Sequence, residues 1–449
     1  MMSNLSVLIA AWYFPPDGGA GSQRPASFAR HLPELGWDCR IVTRSESIQR
    51  GRWNHLDRSL LSELPSSISM VRVDDDGPFH ESGFPGERDI KAHIGPLCRR
   101  VVHEVAATNP DVLLLTMSPF ILSEIPKMIP RHSETSIVVD LRDPWILDYW
   151  PIQSSRAVRR RQRALMRDML ERADGIVMNT PEAATQCMEV FGTHLRPKMI
   201  ALENGFEPRH FSNSVIPRSS SIRIMHGGTF HCESLHSPRG VRARVAAMRH
   251  ASRGSIDRTG RTPHHLFEAA RLLRDEKPDL ASRLHFDFFG HIDSGLETCV
   301  RDGGFDSQTT LHGYVEHDRM THHIERASAL FLPGGKLADG VRDPITPGKT
   351  YEYLASGRPI LAALHPGSGL DLVSSCPGVY VCDPCSPRSL AAGIESVATL
   401  LDRSPEDMSL VEQRQPMLAP FTRSSIAGRL SEFMKMLTET KRSSRSTRE

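Results

Sequence analysis

Residues 343–364 read DPITPGKTYEYLASGRPILAAL, which predicts a loop, a short helix and a buried strand in that order. Thr346 is a suitable N-cap residue, and Pro347 suits the first helical position because its missing N–H has no helical partner there in any case. Gly357 favours the end of the helix, and the apolar run after Pro359 is typical of a strand inside a parallel sheet. The stretch therefore predicts an α/β fold with a helix that starts beside the edge of a sheet.

Two charged side chains of this stretch are candidate ligand contacts. Lys349 falls in the predicted first turn, where unpaired amides and the helix dipole attract anions, and Glu352 follows three positions later. The pair suits a ligand with a phosphate at one end and hydroxyl groups at the other. An ordinary helix start with a solvated lysine is the alternative that the local sequence leaves open.

Composition limits the classes of function. The chain has 449 residues, which predicts two or three domains at the usual size of roughly 100–200 residues each. Its net charge is +2, so no global field indicates a nucleic-acid partner. The eight cysteines are scattered, which favours a reducing compartment. Cys382 and Cys385 have the spacing of a redox or zinc motif, but no second ligand pair accompanies them, so we expect incidental cysteines and no metal site.

The apolar run at 5–11 is too short to span a bilayer, which needs about 20 residues, and lacks the design of a signal peptide. We therefore expect a cytoplasmic protein with at most a peripheral membrane contact. The candidate for that contact is a predicted helix at 156–172 that is rich in arginine and carries an interrupted apolar stripe. An ordinary packing helix with a solvated basic face remains the alternative.

The first half of the chain opens with a buried strand, a glycine-rich turn containing Gly18 and Gly19, and a helix. This order is typical of a doubly wound nucleotide-binding fold, in which glycine lets the backbone approach a ligand. Arg24 is close enough in sequence to reach that ligand. The glycine spacing is not that of a dinucleotide fingerprint, which disfavours a dehydrogenase. A purely structural turn is the alternative.

A second group of polar residues follows the predicted strand at 136–140. It consists of Asp140, Arg142, Asp143 and Trp145. The carboxyl ends of parallel strands are where open α/β sheets bind ligands, so this group is a candidate site. A structural ion pair among the charged residues, with Trp145 covering the core, is equally compatible with the sequence.

The second half restarts the alternation of strands and helices, which predicts a second domain. We predict a first domain at 1–206, a linker at 207–220 and a second domain at 221–420, with an insertion at 231–260. A C-terminal helix at 421–440 is expected to pack back on the first domain, and 441–449 to be disordered. Residues 44–95 are expected to be long irregular loops.

Taken together, the motifs resemble those of the family 4 glycosyltransferases. In chain order they are YFPPDGGAGSQRP at 13–25, DLRDPW at 140–145, AD at 173–174, ENGF at 203–206, GTF at 228–230, GYV at 313–315 and PGKTYEYL at 347–354. The resemblance implies the GT-B fold, an α/β architecture with two facing Rossmann-like domains, a cleft between them and a C-terminal helix that closes the fold. It also implies that the domain at 1–206 lies on the acceptor side and that the domain at 221–420 binds the nucleotide sugar.

The resemblance also implies a reaction, namely transfer of a hexose from a nucleotide-diphosphate sugar to a glycan, a lipid-linked or another acceptor. The transfer would proceed with retention of configuration, without a metal and with no cofactor beyond the sugar nucleotide, in the synthesis of a polysaccharide or glycoconjugate. The implied donor contacts are Gly18, Gly19, Gly228, Thr229, Arg261 and Lys349 at the diphosphate, Tyr314 and Val315 beside the base, and Glu352 on the ribose. Asp143, Arg142 and Lys349 would be catalytic, and Arg24, Asp140 and Trp145 would lie on the acceptor side.

The chain departs from the family pattern at two points. Pro344 stands where the family often has the first of two glutamates, with Asp343 beside it, and no lysine follows Arg261 at the usual distance. Two alternatives therefore stay open at this point. One is a nucleotide-sugar epimerase of the same architecture, and the other is a sugar-nucleotide-binding protein with weakened catalysis.

Overall fold

The computed structural model describes residues 5–46, 55–74, 87–150, 155–211, 220–230, 232, 254, 256–403 and 410–446. The chain falls into two compact units. The first unit comprises Met1–Asp148, Ala157–Asn204 and Arg423–Glu449. The second comprises Tyr149–Arg156 and Gly205–Thr422.

The first unit is built on a seven-stranded parallel sheet with the order β3-β2-β1-β4-β5-β6-β7. Its central strands β4 and β5 are buried at every position, as their uninterrupted apolar runs predict. The strands are β1 (Leu5–Ala11), β2 (Trp37–Arg44), β3 (Ser69–Val73), β4 (Val112–Met117), β5 (Ser136–Leu141), β6 (Gly175–Met178) and β7 (Met199–Ala201).

Helices cover both faces of this sheet, and each face has its own apolar core. They are α1 (Ala20–His31), α2 (Ser59–Ser62), α3 (Glu87–Thr108), α4 (Ile125–Met128), α5 (Arg156–Arg172) and α6 (Pro181–Phe191), together with the C-terminal helix Arg423–Ser446. Thr180 caps α6 by accepting a hydrogen bond from the Ala183 amide at 3.0 Å. The C-terminal helix completes the core on the α1 side of the sheet.

The second unit contains a six-stranded sheet with the order β11-β10-β8-β12-β14-β15. All pairs in it are parallel. The strands are β8 (Ile222–Gly227), β10 (Leu284–Phe289), β11 (Thr309–Gly313), β12 (Ala329–Pro333), β14 (Ile360–Ala363) and β15 (Val379–Cys382). Two further short strands, β9 (Ile256–Asp257) and β13 (Lys336–Leu337), form an antiparallel pair beside it.

The helices of the second unit follow its strands, as expected for right-handed crossovers. They are α7 (His264–Glu276), α8 (Pro278–Arg283), α9 (Ser294–Gly303), α10 (His317–Arg326), α11 (Lys349–Ala355), α12 (Ser368–Ser374), α13 (Pro387–Arg403) and α14 (Leu410–Leu418). Two apolar clusters lie on the two faces of the six-stranded sheet. None of the described helices combines the length and apolar character that a bilayer crossing requires.

The structure corrects three local expectations. The region predicted to be irregular at 44–95 contains β3, α2 and the start of α3, because a short, partly exposed edge strand carries too few apolar positions to be recognised. The tail predicted to be disordered continues as helix to Ser446. The helix of the opening stretch begins at Lys349, after the predicted N-cap Thr346.

Two predicted segments fall largely outside the described residues. Of the linker at 207–220, the structure describes a 3₁₀ turn at Pro208–His210 and residues 211 and 220. Of the insertion at 231–260, it describes Cys232, Gly254 and the residues from Ile256 onward.

Helix α5, the candidate for a membrane contact, packs through Met166, Met169 and Leu170. This packing fits the alternative of an ordinary packing helix, and the membrane contact stays a prediction.

Candidate active site

A glycine turn follows the central strand β8 of the second unit. Gly228 has a φ of 130° and Gly290, beside it, a φ of 120°, a region that favours glycine. The Gly228 amide donates to the Phe289 carbonyl at 2.9 Å. A Cβ atom on Gly290 would lie 2.7 Å from the Gly228 carbonyl carbon, so the two turns pack backbone to backbone. The two turns lie at the carboxyl edge of the sheet, where such sheets bind ligands.

The amine of Lys349 lies directly against that turn. A Cβ atom on Gly228 would collide with the Lys349 Nζ atom, which is 3.3 Å from His226 Nε2. His226 Nδ1 lies 3.0 Å from the carbonyl oxygen of Phe331, which can only accept, so Nδ1 carries the proton and Nε2 accepts from the lysine. The ring of His226 stacks on Phe230 at 4.2 Å. Lys349 is thereby held in one place at the end of β8.

The charge state of Lys349 is perturbed. The pKa of Lys349 is lowered from its ordinary value of 10.5 to about 7. Burial is the largest cause and the positive charge of Arg261 the second, and both outweigh the rise due to Glu352. Two cations that repel one another in a partly buried place are stabilised when an anion binds between them. The arrangement therefore suits a phosphate or diphosphate group.

Arg261 ends a 3₁₀ turn, Thr259–Arg261, just before α7. Its guanidinium lies 4.6 Å from the centre of the Trp150 ring, and the guanidinium of Arg258 lies 5.2 Å from the same ring. Arg258 also donates to the Trp150 carbonyl oxygen at 2.8 Å. A cation stacked on an aromatic face keeps its orientation at little cost in free energy, so Trp150 positions Arg261.

Glu352 lies on α11, one turn after Lys349. Its Oε1 atom is 2.8 Å from His317 Nε2, and both side chains are buried. The neighbouring Tyr353 hydroxyl accepts from the Gly227 amide at 2.7 Å, which ties α11 to the glycine turn. Helix α11 has only seven residues. An anion at its start would therefore be attracted by the charge of Lys349 more than by a helix dipole.

The remaining predicted donor residues of this unit follow the carboxyl ends of β8 and β11. Thr229 follows the glycine turn and is half-buried. Tyr314 and Val315 follow β11 and are half-buried, with Val315 packed against the apolar cluster of that face. The structure therefore brings Gly228, Thr229, Lys349 and Glu352 to one edge of the sheet.

Asp343, beside the unexpected Pro344, is engaged in its own loop. The Asp343 carboxylate accepts from the Ile345 amide at 3.0 Å, and its backbone pairs with Gly367. This carboxylate stabilises the turn that leads to Lys349.

In the first unit, Arg24 and Asp140 form a buried ion pair. Arg24 Nε lies 3.0 Å from both carboxylate oxygens and Nη2 lies 2.7 Å from Oδ1, while Nη1 donates to the Glu203 carbonyl at 2.6 Å. Arg24 is 3 % exposed and Asp140 is 0 % exposed. With these bonds made, the geometry favours the structural ion pair that the sequence left open over direct contact with an acceptor.

Arg142 and Asp143 are more accessible. Asp143 is 52 % exposed, and its Oδ2 atom is 3.6 Å from Arg142 Nε. The Arg142 guanidinium lies 5.3 Å from the centre of the Tyr13 ring and packs against Gly21, where a Cβ atom would collide with it. Of the charged residues in this group, these two predicted catalytic residues are more accessible to a ligand than Arg24 and Asp140.

Trp145 is buried and stacked parallel on Phe120, with ring centres 4.7 Å apart. Its φ of 53° is unusual for a residue other than glycine and is held by this packing. The geometry thus favours the core-covering alternative for Trp145.

Gly18 and Gly19 lie in the turn before α1. The Gly18 amide donates to the His55 carbonyl at 2.6 Å, and Gly19, with a φ of 88°, precedes the helix. A buried ion pair between Asp17 and Arg44, with two contacts of 2.8 Å, fixes the turn. The assignment of these glycines to a diphosphate stays a prediction.

Sequence reasoning missed several residues of the site, namely His226, His317, Tyr353 and Trp150. His226 and His317 had a usable signal, because each is a polar residue next to the carboxyl end of a parallel strand. Trp150 had none, since its contact with Arg261 joins positions far apart in the chain.

Comparisons with known proteins identify the fold. No family model matches the chain, and no curated protein sequence matches it. Sucrose-phosphate synthase from Thermosynechococcus elongatus superimposes with a TM-score of 0.67 at 12 % identity, covering 97 % of this chain and all of that one. HepE from Anabaena, solved with UDP and glucose, gives 0.60 at 14 % identity and covers 96 % of this chain and 99 % of that one.

WaaG, a glycosyltransferase involved in lipopolysaccharide biosynthesis, gives a TM-score of 0.58 at 13 % identity, with 95 % of this chain and 99 % of that one covered. These structural neighbours are GT-B glycosyltransferases. The predicted fold class, an α/β fold with two Rossmann-like sheets in the GT-B manner, is therefore confirmed.

Proposed function

We propose that this chain is a glycosyltransferase that takes a sugar from a nucleotide-diphosphate donor bound by its second unit. The observation that carries the proposal is the amine of Lys349, held against the Gly228 turn with its pKa lowered to about 7 by burial and by Arg261. An anion bound between Lys349 and Arg261 would offset the repulsion between these two positive charges. The similarity to HepE, solved with UDP and glucose, supports a nucleoside diphosphate as that anion.

The chemistry of transfer requires this arrangement. Cleavage of the bond between the sugar and the diphosphate leaves additional negative charge on the departing nucleotide. Cations fixed in advance stabilise that charge in the transition state without having to reorganise. Lys349 and Arg261 would serve the diphosphate with the main chain at Gly228 and Thr229, and Glu352 would accept from ribose hydroxyls.

The finer points of the proposal follow the family resemblance. We assign transfer with retention of configuration, no metal in the transfer step, and Arg142 and Asp143 of the first unit as catalytic groups on the side of the acceptor or the sugar. Their support is the exposed carboxylate of Asp143 and the ring contact that orients Arg142. A glycan or lipid-linked acceptor is the class we favour.

A second candidate is a nucleotide-sugar epimerase. The structure of a putative UDP-N-acetylglucosamine 2-epimerase from Listeria monocytogenes superimposes with a TM-score of 0.53 at 12 % identity, covering 96 % of this chain and 95 % of that one. The two reactions differ in their products. A transferase yields free nucleoside diphosphate and a glycosylated acceptor, whereas an epimerase yields an epimerised sugar.

Calorimetric titration with UDP, ADP and GDP tests the donor site. We expect one of them to bind, and Lys349→Ala and Arg261→Ala each to weaken that binding roughly 10- to 100-fold, since each removes a charge-assisted phosphate contact. Lys277→Ala is the matched control, because Lys277 pairs with Glu395 at 2.8 Å and follows the C-terminal end of α7, the end opposite to Arg261. Wild-type affinity in both site variants would exclude the assignment.

A further inference from the structure

A cluster of three potential metal ligands lies at the first turn of α7, and the proposed donor contacts do not include it. Its members are His264, His265 and Glu268, whose ligand atoms all lie within 4.8 Å of one another. Within the described part of the chain, it is the only group of three or more such side chains that meets this condition. The sequence, read for cysteine pairs, predicted no metal site.

Helical spacing brings the three side chains together. Glu268 is four positions after His264 and three after His265, so both imidazoles reach the same carboxylate. Glu268 Oε2 lies 3.6 Å from His264 Nε2 and 3.3 Å from His265 Nδ1. Two ligands of a tetrahedral ion with bonds of about 2.1 Å are about 3.4 Å apart. Both measured distances are close to that value.

A hydrogen-bond chain fixes the proton of His265. The Thr259 hydroxyl donates to Asp257 at 2.6 Å and lies 2.9 Å from His265 Nε2. Burial raises the pKa of Asp257, but hydrogen bonds from Thr259 lower it more, so Asp257 is an ionised acceptor. The single hydroxyl hydrogen is therefore committed to Asp257, and His265 Nε2 must carry a proton and donate to Thr259.

The other ring nitrogen is consequently left facing a carboxylate. In the neutral ring, Nδ1 of His265 presents a lone pair to Glu268 Oε2 at 3.3 Å, and two electron pairs repel unless a cation lies between them. A divalent ion satisfies both groups.

The cluster is open to an incoming ion. The His264 side chain is 43 % exposed and Glu268 is 34 % exposed, whereas His265 is 15 % exposed and fixed by Thr259. Arg271 contacts the other carboxylate oxygen, Oε1, at 3.7 Å, which leaves Oε2 to the histidines. The ligand atoms of the two histidines lie within 4.8 Å of each other, and rotation of the half-exposed His264 ring would shorten that distance.

We propose that His264, His265 and Glu268 bind one divalent transition-metal ion such as Zn²⁺, through Nε2, Nδ1 and the carboxylate, with water completing the shell. Thr259 and Asp257 orient His265 from behind, as outer partners do in most histidine–metal sites. All three ligands lie on the first turns of α7, and the hydrogen bond between His265 and Thr259 links this site to the Thr259–Arg261 turn. It takes no part in the transfer step proposed above, and the proposal stands independently of that function.

The test uses the full chain without added histidines. Its cysteines are kept reduced, and bound metal is first removed with a chelator. Titration with Co²⁺ is followed by visible absorption, and titration with Zn²⁺ by calorimetry. We expect one equivalent to bind to the wild type, and His264→Ala and Glu268→Gln each to bind at least about tenfold more weakly. Zn²⁺ should raise the melting temperature of the wild type but not that of Glu268→Gln.

His194→Ala is the matched control, because His194 is exposed and pairs with Glu171 at 2.8 Å. It should bind metal like the wild type. Equal affinity in the wild type and both site variants, or no binding by the wild type, would overturn the proposal. So would a strong sulfur-to-cobalt charge-transfer band, which would indicate a thiolate site, for example at Cys385, whose sulfur lies 3.8 Å from Thr259 Oγ1.

Discussion

At the scale of single residues, Lys349 and Arg261 act as a pair of cations whose mutual repulsion an anion relieves. Burial and Arg261 lower the pKa of Lys349 to about 7, so a large fraction of the free protein has a neutral amine at that position near neutral pH. A bound phosphate favours the ammonium form. Binding and protonation at Lys349 are therefore linked.

This linkage predicts how nucleotide affinity depends on pH. Below pH 7 the amine is already charged, and binding needs no proton. Above pH 7 each binding event takes up a proton, so the affinity for the nucleoside diphosphate should fall by up to about tenfold per pH unit. Calorimetry in buffers of different ionisation enthalpy measures the proton uptake directly.

Two variants check the origin of that pH dependence. Lys349→Met should abolish the proton uptake above pH 7. Arg261→Ala should move its onset to higher pH, because the pKa of Lys349 rises when the neighbouring charge is removed. An unchanged profile in Lys349→Met would show that another group titrates.

The buried pair of Arg24 and Asp140 makes a different prediction, about stability. Arg24→Met leaves a buried carboxylate without its partner and should lower the free energy of unfolding by about 3–5 kcal/mol. The double variant Arg24→Met, Asp140→Leu should recover much of that loss. Urea unfolding followed by tryptophan fluorescence measures both, and an undisturbed Arg24→Met protein would argue against a structural role.

At the scale of elements, the C-terminal helix is part of the first unit's core. Ile426, Leu430 and Met434 are almost fully buried in the same apolar cluster as β1 and α1, and the Trp37 indole donates to Ser431 at 2.8 Å. The helix begins at Arg423, whose guanidinium donates to Gln23 at 2.6 Å. This helix thus completes the apolar core on the face of the sheet that α1 also covers.

Leu430→Ala should therefore destabilise the first unit by about 2–5 kcal/mol, through lost burial and the cavity left behind. Met436→Ala, on the same helix, is the control because Met436 is 45 % exposed and should change stability little. Chemical denaturation of the full chain gives both values. Equal effects of the two substitutions would contradict this packing.

Whether an element could be predicted from the sequence depended on how deeply it is buried. The buried strands β1, β4 and β5 are uninterrupted apolar runs, so pattern alone locates them. The edge strand β3 and the full length of the last helix were missed, because partly exposed elements carry no such run. Lys349 and Glu352 were recognised by spacing. His226 and His317 had a signal in their places near strand ends, whereas Trp150 becomes a neighbour of the site only through tertiary packing.

At the scale of the whole molecule, the fold is shared with enzymes that differ in substrate. Structural neighbours include a sucrose-phosphate synthase, a lipopolysaccharide glycosyltransferase and a putative epimerase, each at 13 % identity or less. A fold does not select among such reactions, because function resides in the residues of the site. Lys349, Arg261 and Glu352 are therefore the residues on which the proposal depends.

The direct test of the central claim is incubation of the full chain with a panel of nucleotide sugars and a mixture of glycan and lipid-linked acceptors. Released nucleoside diphosphate and the modified acceptor are quantified, and the sugar products are identified by NMR. We predict that one donor yields stoichiometric nucleoside diphosphate and glycosylated acceptor, with the anomeric configuration retained and the reaction lost in Lys349→Ala. An epimerised donor, or turnover that survives unchanged in Lys349→Ala, would contradict the account.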